Sequence, residues 1–192
     1  TKMLAEKRVL AANSATLATV ALRPHLIWGP GDNHLVPRLV ERGRRGQLRR
    51  IGKKEKCIDS VYIDDAARAH LLAAECLEPG SPVSGKAYFI TQGEPIPLWD
   101  LVNRILGAAD VAPVTGSVHP RVAYAAGCVL EGIHKLLRRK GEPRMTRFVA
   151  RELSTAHWFD IGAARRDFGY EPSVTIDEGI KRLSESLRGQ DS

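Results

Sequence analysis

The sequence has few cysteines and no long apolar run. Its three cysteines, Cys57, Cys76 and Cys128, lie far apart and form no Cys-x-x-Cys pair. This distribution argues against a disulfide framework and a zinc site, and it favours a reducing, cytoplasmic compartment. No uninterrupted apolar stretch approaches the ~18–20 residues that a membrane-spanning helix needs. We therefore expect a globular protein with no bound metal.

Two features that open many chains are also missing. The sequence begins Thr1-Lys2 rather than with methionine, and it contains no glycine-rich loop that holds phosphate groups. No secretory signal is visible, but a chain without its natural start gives no evidence on that point. At 192 residues the chain is long enough to bury a sizeable core in one or two domains.

Positive charge exceeds negative charge. The 29 Lys and Arg residues outnumber the 22 Asp and Glu residues, which gives a net charge of +7. The excess is concentrated in segments 42–56 and 138–151. Such charge attracts nucleic acid, anionic membrane or phosphorylated ligands, or it covers a solvated surface. Because segment 42–56 contains no aromatic residue for base stacking, we expect no nucleic-acid partner.

Local patterns predict an α/β order of elements. We predict strands at 18–23, 60–63, 86–91 and 157–160, with a short strand inside 49–59. We predict helices at 2–13, 35–41 and 64–77, another from 97 onward, and others at 120–138, 146–153, 162–168 and 177–187. Asp64 and Asp65 are expected to cap the helix at 64–77. This order predicts part of an α/β sheet followed by a mostly helical lobe.

The stretch 22–35 is the most informative local feature. A short β-branched run ends at Pro24, and a Gly-Pro-Gly-Asp turn follows at 29–32. In open α/β sheets, ligands bind beyond the carboxyl ends of the strands, where such loops lie. This strand end is therefore the first candidate for a binding site.

The order of several motifs resembles one enzyme family. Lys2 lies in the first turn of a predicted helix, 20 residues before Leu22-Arg23-Pro24, as does the Lys of Tyr-x-x-x-Lys in the extended short-chain dehydrogenase/reductases. The segment Val61-Tyr62-Ile63-Asp64-Asp65, followed by Ala69-His70-Leu71, resembles the signature of the 3β-hydroxysteroid dehydrogenase branch. Segments 88–97 and 164–172 resemble later parts of that branch. Together these matches span nearly the whole chain.

The resemblance implies roles for particular residues. It assigns Lys2 to catalysis and to the binding of NAD or NADP, with Pro24, His25 and Ile27 on the cofactor side. A lysine ammonium one helical turn after a tyrosine stabilises the phenolate, lowers the pKa of the phenol, and can bond ribose hydroxyls. The tyrosine of this motif would lie four residues before Lys2, outside this sequence.

A small hydrophobic substrate is implied as well. Leu26, Trp28 and Tyr62 are expected to line its pocket. Within the branch, segments 28–35 and 155–158 resemble the 2-alkyl-3-oxoalkanoate reductases more than the sterol-4-carboxylate 3-dehydrogenases. Both groups act on a secondary alcohol or ketone beside a carbon that bears a carboxylate. A homodimer is one expected assembly.

The implied fold is α/β, with a partial Rossmann-like parallel sheet and a mostly helical substrate lobe. We expect segments 1–28 and 60–91 to belong to the dinucleotide-binding domain, and segments 29–59 and 92–192 to the substrate lobe. The phosphate loop, the residue that selects NAD or NADP, the catalytic Ser or Thr and the Tyr are absent. We therefore expect the carboxyl-terminal part of such an enzyme, inactive by itself.

Two other functions stay open from the sequence. A sugar-nucleotide epimerase of the same fold would be expected to carry Asn where this chain has Leu26, which weakens that alternative. A non-catalytic module that binds nucleic acid or anionic lipid through 42–56 is the other alternative. The apolar segment 120–138, with the basic residues that follow it, is open to two interpretations: contact with a membrane surface, and burial against the substrate lobe.

Overall fold

The computed structural model of the chain describes residues 1–52, 54–137, 143 and 146–190. The helices are α1 (Lys2–Ala11), α2 (Leu35–Arg44), α3 (Ile63–Glu75), α4 (Leu98–Ala108), α5 (Pro120–Leu136), α6 (Arg147–Glu152), α7 (Gly162–Phe168) and α8 (Ile176–Gln190). The strands are β1 (Val20–Pro24), β2 (Ile27–Trp28), β3 (Arg50–Ile51), β4 (Cys57–Ile58), β5 (Val61–Tyr62), β6 (Lys86–Ile90), β7 (Ile96–Pro97) and β8 (Ser117–Val118). The mixed order confirms the α/β class.

Contacts divide the chain into two units. The first unit contains Thr1–Leu35, Asp59–Pro95 and Trp158–Ser192, and the second contains Val36–Ile58 and Ile96–His157. The sequence instead assigned everything after residue 91 to the second lobe. Segment 158–190 belongs with the first unit because its side chains and backbone bond to the ends of β6 and α3. The function of each unit stays a prediction.

Parallel strand pairs organise the first unit. β1 pairs with β6, from Val20 opposite Lys86 to Pro24 opposite Ile90, and β2 pairs with β5. Helix α3 packs on these strands through three small buried residues, Ala66, Ala69 and Ala73. Their spacing places them on one helical face, and their size allows a close approach of helix and strands.

Helix α7 ends where the sequence predicts. Gly169 adopts a left-handed conformation with φ of +67°, which an L side chain rarely adopts. The Gly169 N–H donates to the Arg165 carbonyl at 3.0 Å, and the Tyr170 N–H donates to the Ala164 carbonyl at 3.2 Å. These bonds satisfy carbonyls at the end of the helix. Gly169 therefore caps α7, and the predicted range of this helix, 162–168, is confirmed.

The second unit combines two short strand pairs with helices. β3 and β8 are parallel, whereas β4 and β7 are antiparallel. Helix α4 supplies much of its buried apolar surface, including Leu101, Ile105 and Leu106. The helix that the sequence predicts from 97 onward is confirmed.

Some predicted elements differ from the structure. The strand expected at 157–160 is wrong, because His157 forms only an isolated bridge with Ile58. Asp64 and Asp65 lie in the first turn of α3, but no side chain caps that helix. The end of the helix expected at 120–138 and part of the basic segment 138–151 lie outside the described residues, as does Lys53.

Two further properties bear on function. Cys57, Cys76 and Cys128 are exposed free thiols. Among the described residues, no helix combines the length and the apolar character that crossing a bilayer requires.

Candidate functional site

The carboxyl ends of β1 and β6 meet at one edge of the first unit. Because the two strands are parallel and in register, Pro24 lies opposite Ile90. The backbone N–H of His25 continues the pairing and donates to the Ile90 carbonyl at 3.2 Å. This edge is where an open α/β sheet binds its ligands, and it holds two residues predicted on the cofactor side, Pro24 and His25.

Two side-chain contacts fix the direction of α1 along β1. Just after α1, the Asn13 side-chain oxygen accepts from the Thr19 N–H at 2.9 Å and from the Ser84 hydroxyl at 2.7 Å, at the beginning of both strands. Nearer the amino end of α1, Glu6 accepts two hydrogen bonds from the Arg23 guanidinium, at 2.7 and 2.6 Å. Helix α1 therefore runs antiparallel to β1, with its first residues toward the carboxyl edge.

This direction brings Lys2 to the edge. Lys2 lies one turn before Glu6 on the same helical face, about 6 Å farther along the helix axis. Two extended residues cover a similar length, so the Lys2 backbone lies near the level of His25, two residues after Arg23. The Lys2 side chain is exposed. Hydrogen bonds from Arg23 hold the pKa of Glu6 below its ordinary value, and the pair keeps α1 against β1.

An aromatic stack covers the same edge. The Arg23 guanidinium lies 5.1 Å from the centre of the Phe89 ring. Phe89 stacks on Phe159 with 4.0 Å between ring centres and 9° between planes, and Phe159 meets the His25 ring edge-on at 5.1 Å. Phe159 was not predicted from the sequence, because it lies 70 residues after Phe89 along the chain, in the segment wrongly predicted as a strand.

Asp59 forms hydrogen bonds with both His25 and Phe159. The Asp59 carbonyl lies 2.7 Å from the His25 Nδ1 atom, and the Asp59 Oδ2 atom accepts from the Phe159 N–H at 2.7 Å. The carboxylate is fully buried, and its Oδ1 atom has no hydrogen-bond partner among the described residues. The only sequence signal for this role is a carboxylate close before the apolar strand β5. Asp59 therefore fixes the His25 ring at the edge.

The residues predicted for the substrate pocket lie in different environments. Leu26 is half-buried in a turn with φ of 45°, and the next residue, Ile27, is 39% exposed. Trp28 and Tyr62 are instead 0% and 2% exposed, and their rings meet edge-on at 5.6 Å. The Trp28 Nε1–H also donates to the Ser60 hydroxyl at 3.0 Å.

These contacts make Trp28 and Tyr62 packing residues of the first unit. Burial, with the Asp64 carboxylate as a second cause, raises the pKa of the Tyr62 phenol. Neither ring presents an open surface to a ligand in this arrangement. Their role in a substrate pocket stays a prediction, whereas Lys2, Pro24, His25 and Ile27 share the strand edge and its loop.

A buried network of hydrogen bonds surrounds Asp65 in the first turn of α3. The Asp65 carboxylate accepts hydrogen bonds from the Ser173 N–H at 2.9 Å, the Ser173 hydroxyl at 2.8 Å and the Val174 N–H at 3.1 Å. Arg68 and Gln92 donate to it at 3.0 and 2.8 Å. Burial acts to raise the pKa of Asp65, but the bonds from Ser173, Val174 and Arg68 outweigh it and lower that pKa. The role of Asp65 here is positional.

Comparison with known proteins identifies the family. Residues 1–117 match the model of the 3-beta hydroxysteroid dehydrogenase/isomerase family. The chain belongs to this family. Its membership confirms the resemblance inferred from the motifs around Lys2, Pro24 and Val61–Asp65.

Two curated relatives of this chain are informative. A 2-alkyl-3-oxoalkanoate reductase of Stenotrophomonas maltophilia is 54% identical over 97% of this chain and 56% of its own length. A decarboxylating sterol-4-alpha-carboxylate 3-dehydrogenase of Mus musculus is 34% identical over 97% of this chain and 53% of its own length. The chain thus spans about half the length of these relatives, whose names place them among the oxidoreductases.

Solved structures support the fold of this family member. An epimerase from Methanothermobacter thermautotrophicus superposes with a TM-score of 0.66 at 19% identity, over 98% of this chain and 49% of its own. A UDP-glucuronic acid 4-epimerase from Bacillus cereus, solved in complex with NAD, gives a TM-score of 0.56 at 18% identity over 90% and 45%. At this identity the likeness shows the fold alone, and it confirms the Rossmann-like α/β class.

Proposed function

We propose that this chain forms the carboxyl-terminal part of an NAD(P)-dependent oxidoreductase. The enzyme interconverts a secondary alcohol and a ketone on a hydrophobic substrate. The chain contributes the Lys2 ammonium, part of the cofactor-side edge and the second unit as a substrate lobe. It lacks a phosphate-binding glycine loop and a tyrosine four residues before Lys2, so the 192 residues alone do not turn over substrate.

One observation carries this proposal: α1 runs antiparallel to β1, which directs its first turn, and with it Lys2, toward the carboxyl edge of the parallel strands. The two hydrogen bonds between Glu6 and Arg23 set that position, at 2.7 and 2.6 Å. If α1 ran the other way, its first turn would lie at the opposite end of β1, away from Pro24 and His25. A lysine at that end of the strands would lie away from the edge where open α/β sheets bind their ligands.

The exposed groups at this edge fit one end of a nicotinamide dinucleotide. Lys2 offers an ammonium donor for ribose hydroxyls, and Ile27, 39% exposed, offers apolar surface for a planar ring. When bound, the nicotinamide supplies the group that accepts or donates hydride. The Lys2 ammonium also lowers the pKa of a phenol one helical turn before it, so that the phenol exchanges a proton with the substrate oxygen near neutral pH.

The relatives favour a substrate that is hydrophobic and bears a carboxylate. The names of both relatives describe reactions at a ketone or alcohol of such a molecule. The chain is more similar to the 2-alkyl-3-oxoalkanoate reductase, at 54% identity against 34%. We propose that the ketone or alcohol of a 2-alkyl-3-oxoalkanoate type of molecule is the reacting group.

The test is the oxidation of NADH or NADPH by a 2-alkyl-3-oxoalkanoate, assayed with the complete protein that contains these residues. We expect Lys2→Ala to lower kcat/KM by about 10²-fold or more and to shift the pH profile of kcat upward, because the phenol loses its neighbouring cation. Lys7→Ala is the matched control, since Lys7 is an exposed lysine of the same helix.

The thermal unfolding of both variants should match that of the parent, because both side chains are exposed. Equal activity of Lys2→Ala and Lys7→Ala would overturn the role of Lys2. Turnover by the 192-residue chain alone would contradict its proposed dependence on further residues.

A further inference from the structure

Leu26 has a backbone conformation that is rare for its residue type. Its φ of 45° lies in the left-handed region, where the Cβ atom of an L residue comes close to the following carbonyl oxygen. Glycine, Asn and Asp adopt this region far more readily than leucine does. Among the described residues other than glycine, only Leu26 and Asp110 have a positive φ. Leu26 is therefore the one bulky apolar residue in this group.

Hydrogen bonds on both sides of Leu26 fix this conformation. Before it, the chain pairs with β6, and the His25 N–H donates to the Ile90 carbonyl at 3.2 Å. After it, the chain pairs with β5 from Ile27 onward, and the Leu26 carbonyl accepts from the Val61 N–H at 3.3 Å. At Leu26 the chain thus passes from one partner strand to the other. The surrounding structure holds the residue in its unfavourable conformation.

The side chains next to Leu26 leave the turn little freedom to relax. The His25 Nδ1 atom lies 2.7 Å from the Asp59 carbonyl. Trp28 is fully buried, and its Nε1–H donates to the Ser60 hydroxyl at 3.0 Å. The Leu26 side chain itself is only half-buried. Part of its apolar surface is therefore accessible to a ligand at the loop that follows β1.

A structural role alone does not account for leucine at this position. Asn or glycine would form the same turn without the steric conflict of the Cβ atom, and partial burial gives leucine only part of the stabilisation of a core residue. Strained residues of this kind concentrate at ligand sites, where a particular side chain is needed. The strain at Leu26 therefore indicates that its side chain contacts a ligand.

We infer that Leu26 determines substrate specificity by contacting the alkyl branch of a 2-alkyl-3-oxoalkanoate type of substrate. This inference rests on the proposed function. Hydride transfer requires the reacting carbon of the substrate to lie against the nicotinamide, and Leu26 lies between His25 and Ile27, which are both predicted on the cofactor side. The carbon that carries the branch is the direct neighbour of the reacting carbon. An apolar side chain at this place favours an apolar branch.

The experiment measures the oxidation of NADH or NADPH by the complete protein that contains these residues. Two substrates are compared, a 2-alkyl-3-oxoalkanoate and the same 3-oxoalkanoate without its branch. We expect the parent to prefer the branched compound, and Leu26→Asn and Leu26→Ala each to lower the ratio of the two kcat/KM values by about 10-fold or more. Leu26→Met should keep most of the preference, because it retains an apolar side chain of similar volume.

Urea unfolding of the same variants tests the strain separately. Leu26→Asn and Leu26→Ala both remove the apolar side chain, but Asn adopts the left-handed region more readily than Ala does. Leu26→Asn should therefore have the higher urea midpoint of the two. Asp110→Ala is the control, since Asp110 is an exposed left-handed residue of the second unit. It should lower the urea midpoint and leave the substrate preference unchanged.

The possible outcomes separate this inference from the proposed function. A parent that reduces neither compound overturns the proposed function and the inference together. An active parent without preference for the branched compound, or one whose preference survives in Leu26→Asn and Leu26→Ala, overturns the inference alone. Equal urea midpoints of these two variants would also overturn it, because Leu26 would then carry no backbone strain to explain.

Discussion

The Asp65 carboxylate accepts a hydrogen bond from the Gln92 side-chain amide, with 2.8 Å between Oδ2 and Nε2 in a fully buried position. Gln92 also accepts from the Tyr62 backbone N–H at 2.8 Å and donates to the Val174 carbonyl. Asp65 and Gln92 thereby connect three parts of the chain: α3, the residues after β6 and the segment before α8. A buried carboxylate is stable here because its oxygens have several donors.

Asp65→Asn should destabilise the chain by about 2–4 kcal/mol. The substitution replaces an acceptor oxygen by an NH₂ group that faces other donors, and it removes the charge that Arg68 compensates. Urea unfolding followed by circular dichroism measures the loss. The neighbouring Asp64→Asn is the matched control, since Asp64 is exposed and should change stability by less than about 0.5 kcal/mol. Equal effects of the two substitutions would refute the structural role of Asp65.

The same carboxylate predicts a dependence of stability on pH. Its pKa is lowered in the folded chain, whereas an unfolded Asp titrates near about 4. A lowered carboxyl pKa stabilises the fold at pH values above the unfolded pKa, and this contribution is lost as the pH falls through the folded pKa. The stability gap between the parent and Asp65→Asn should therefore be constant above about pH 5 and narrow below about pH 4. Urea midpoints at several pH values measure it, and a gap that widens on acidification would contradict the prediction.

The sequence predicts elements whose signals are local. Helix α7 matches its predicted range, 162–168, because the apolar spacing and the left-handed Gly169 both lie within a few residues. The strand edge at Pro24 was also predictable, since proline ends a strand and a turn sequence follows it. Lys2 could be placed at that edge only through the family resemblance.

Contacts between distant segments were not predictable. Ser173 is 108 residues from Asp65, and nothing near either residue reveals the partner. The sequence therefore assigned Asp65 the local role of a helix cap. The apolar spacing of α5 illustrates a second limit, because a row such as Val122, Val129 and Ile133 has the same pattern whether it is covered by protein or open to a membrane.

Gly179→Ala should destabilise the first unit, although alanine normally stabilises a helix. A Cβ atom at position 179 would lie 2.8 Å from Trp28 and 2.9 Å from Tyr62, and both rings are buried. We expect a net loss of about 1–3 kcal/mol, measured by urea unfolding. Gly189→Ala in the same helix is the control, because no atom of the described residues outside the helix's own backbone lies within 4 Å of its Cβ position. It should be neutral or stabilising by up to about 1 kcal/mol, and similar losses at both positions would show that the ring contacts are not tight.

The hydrogen bond at His25 predicts the tautomer of a ring at the candidate site. Its Nδ1 atom lies 2.7 Å from the Asp59 carbonyl, and a carbonyl oxygen only accepts, so Nδ1 carries the proton. His119 should show the opposite tautomer when neutral, because its Nδ1 atom accepts from the Arg121 N–H at 3.2 Å. Nitrogen-15 NMR spectra of the neutral rings distinguish the two forms.

His70 provides an internal control for these spectra. Its Nδ1 atom lies 2.7 Å from the Ala66 carbonyl, so it should share the tautomer of His25. A protonated Nε2 atom on neutral His25, with His70 protonated on Nδ1 as expected, would show that the bond to Asp59 does not form. His25 would then lack the hydrogen bond that holds its ring toward Asp59, which would weaken its proposed place on the cofactor side.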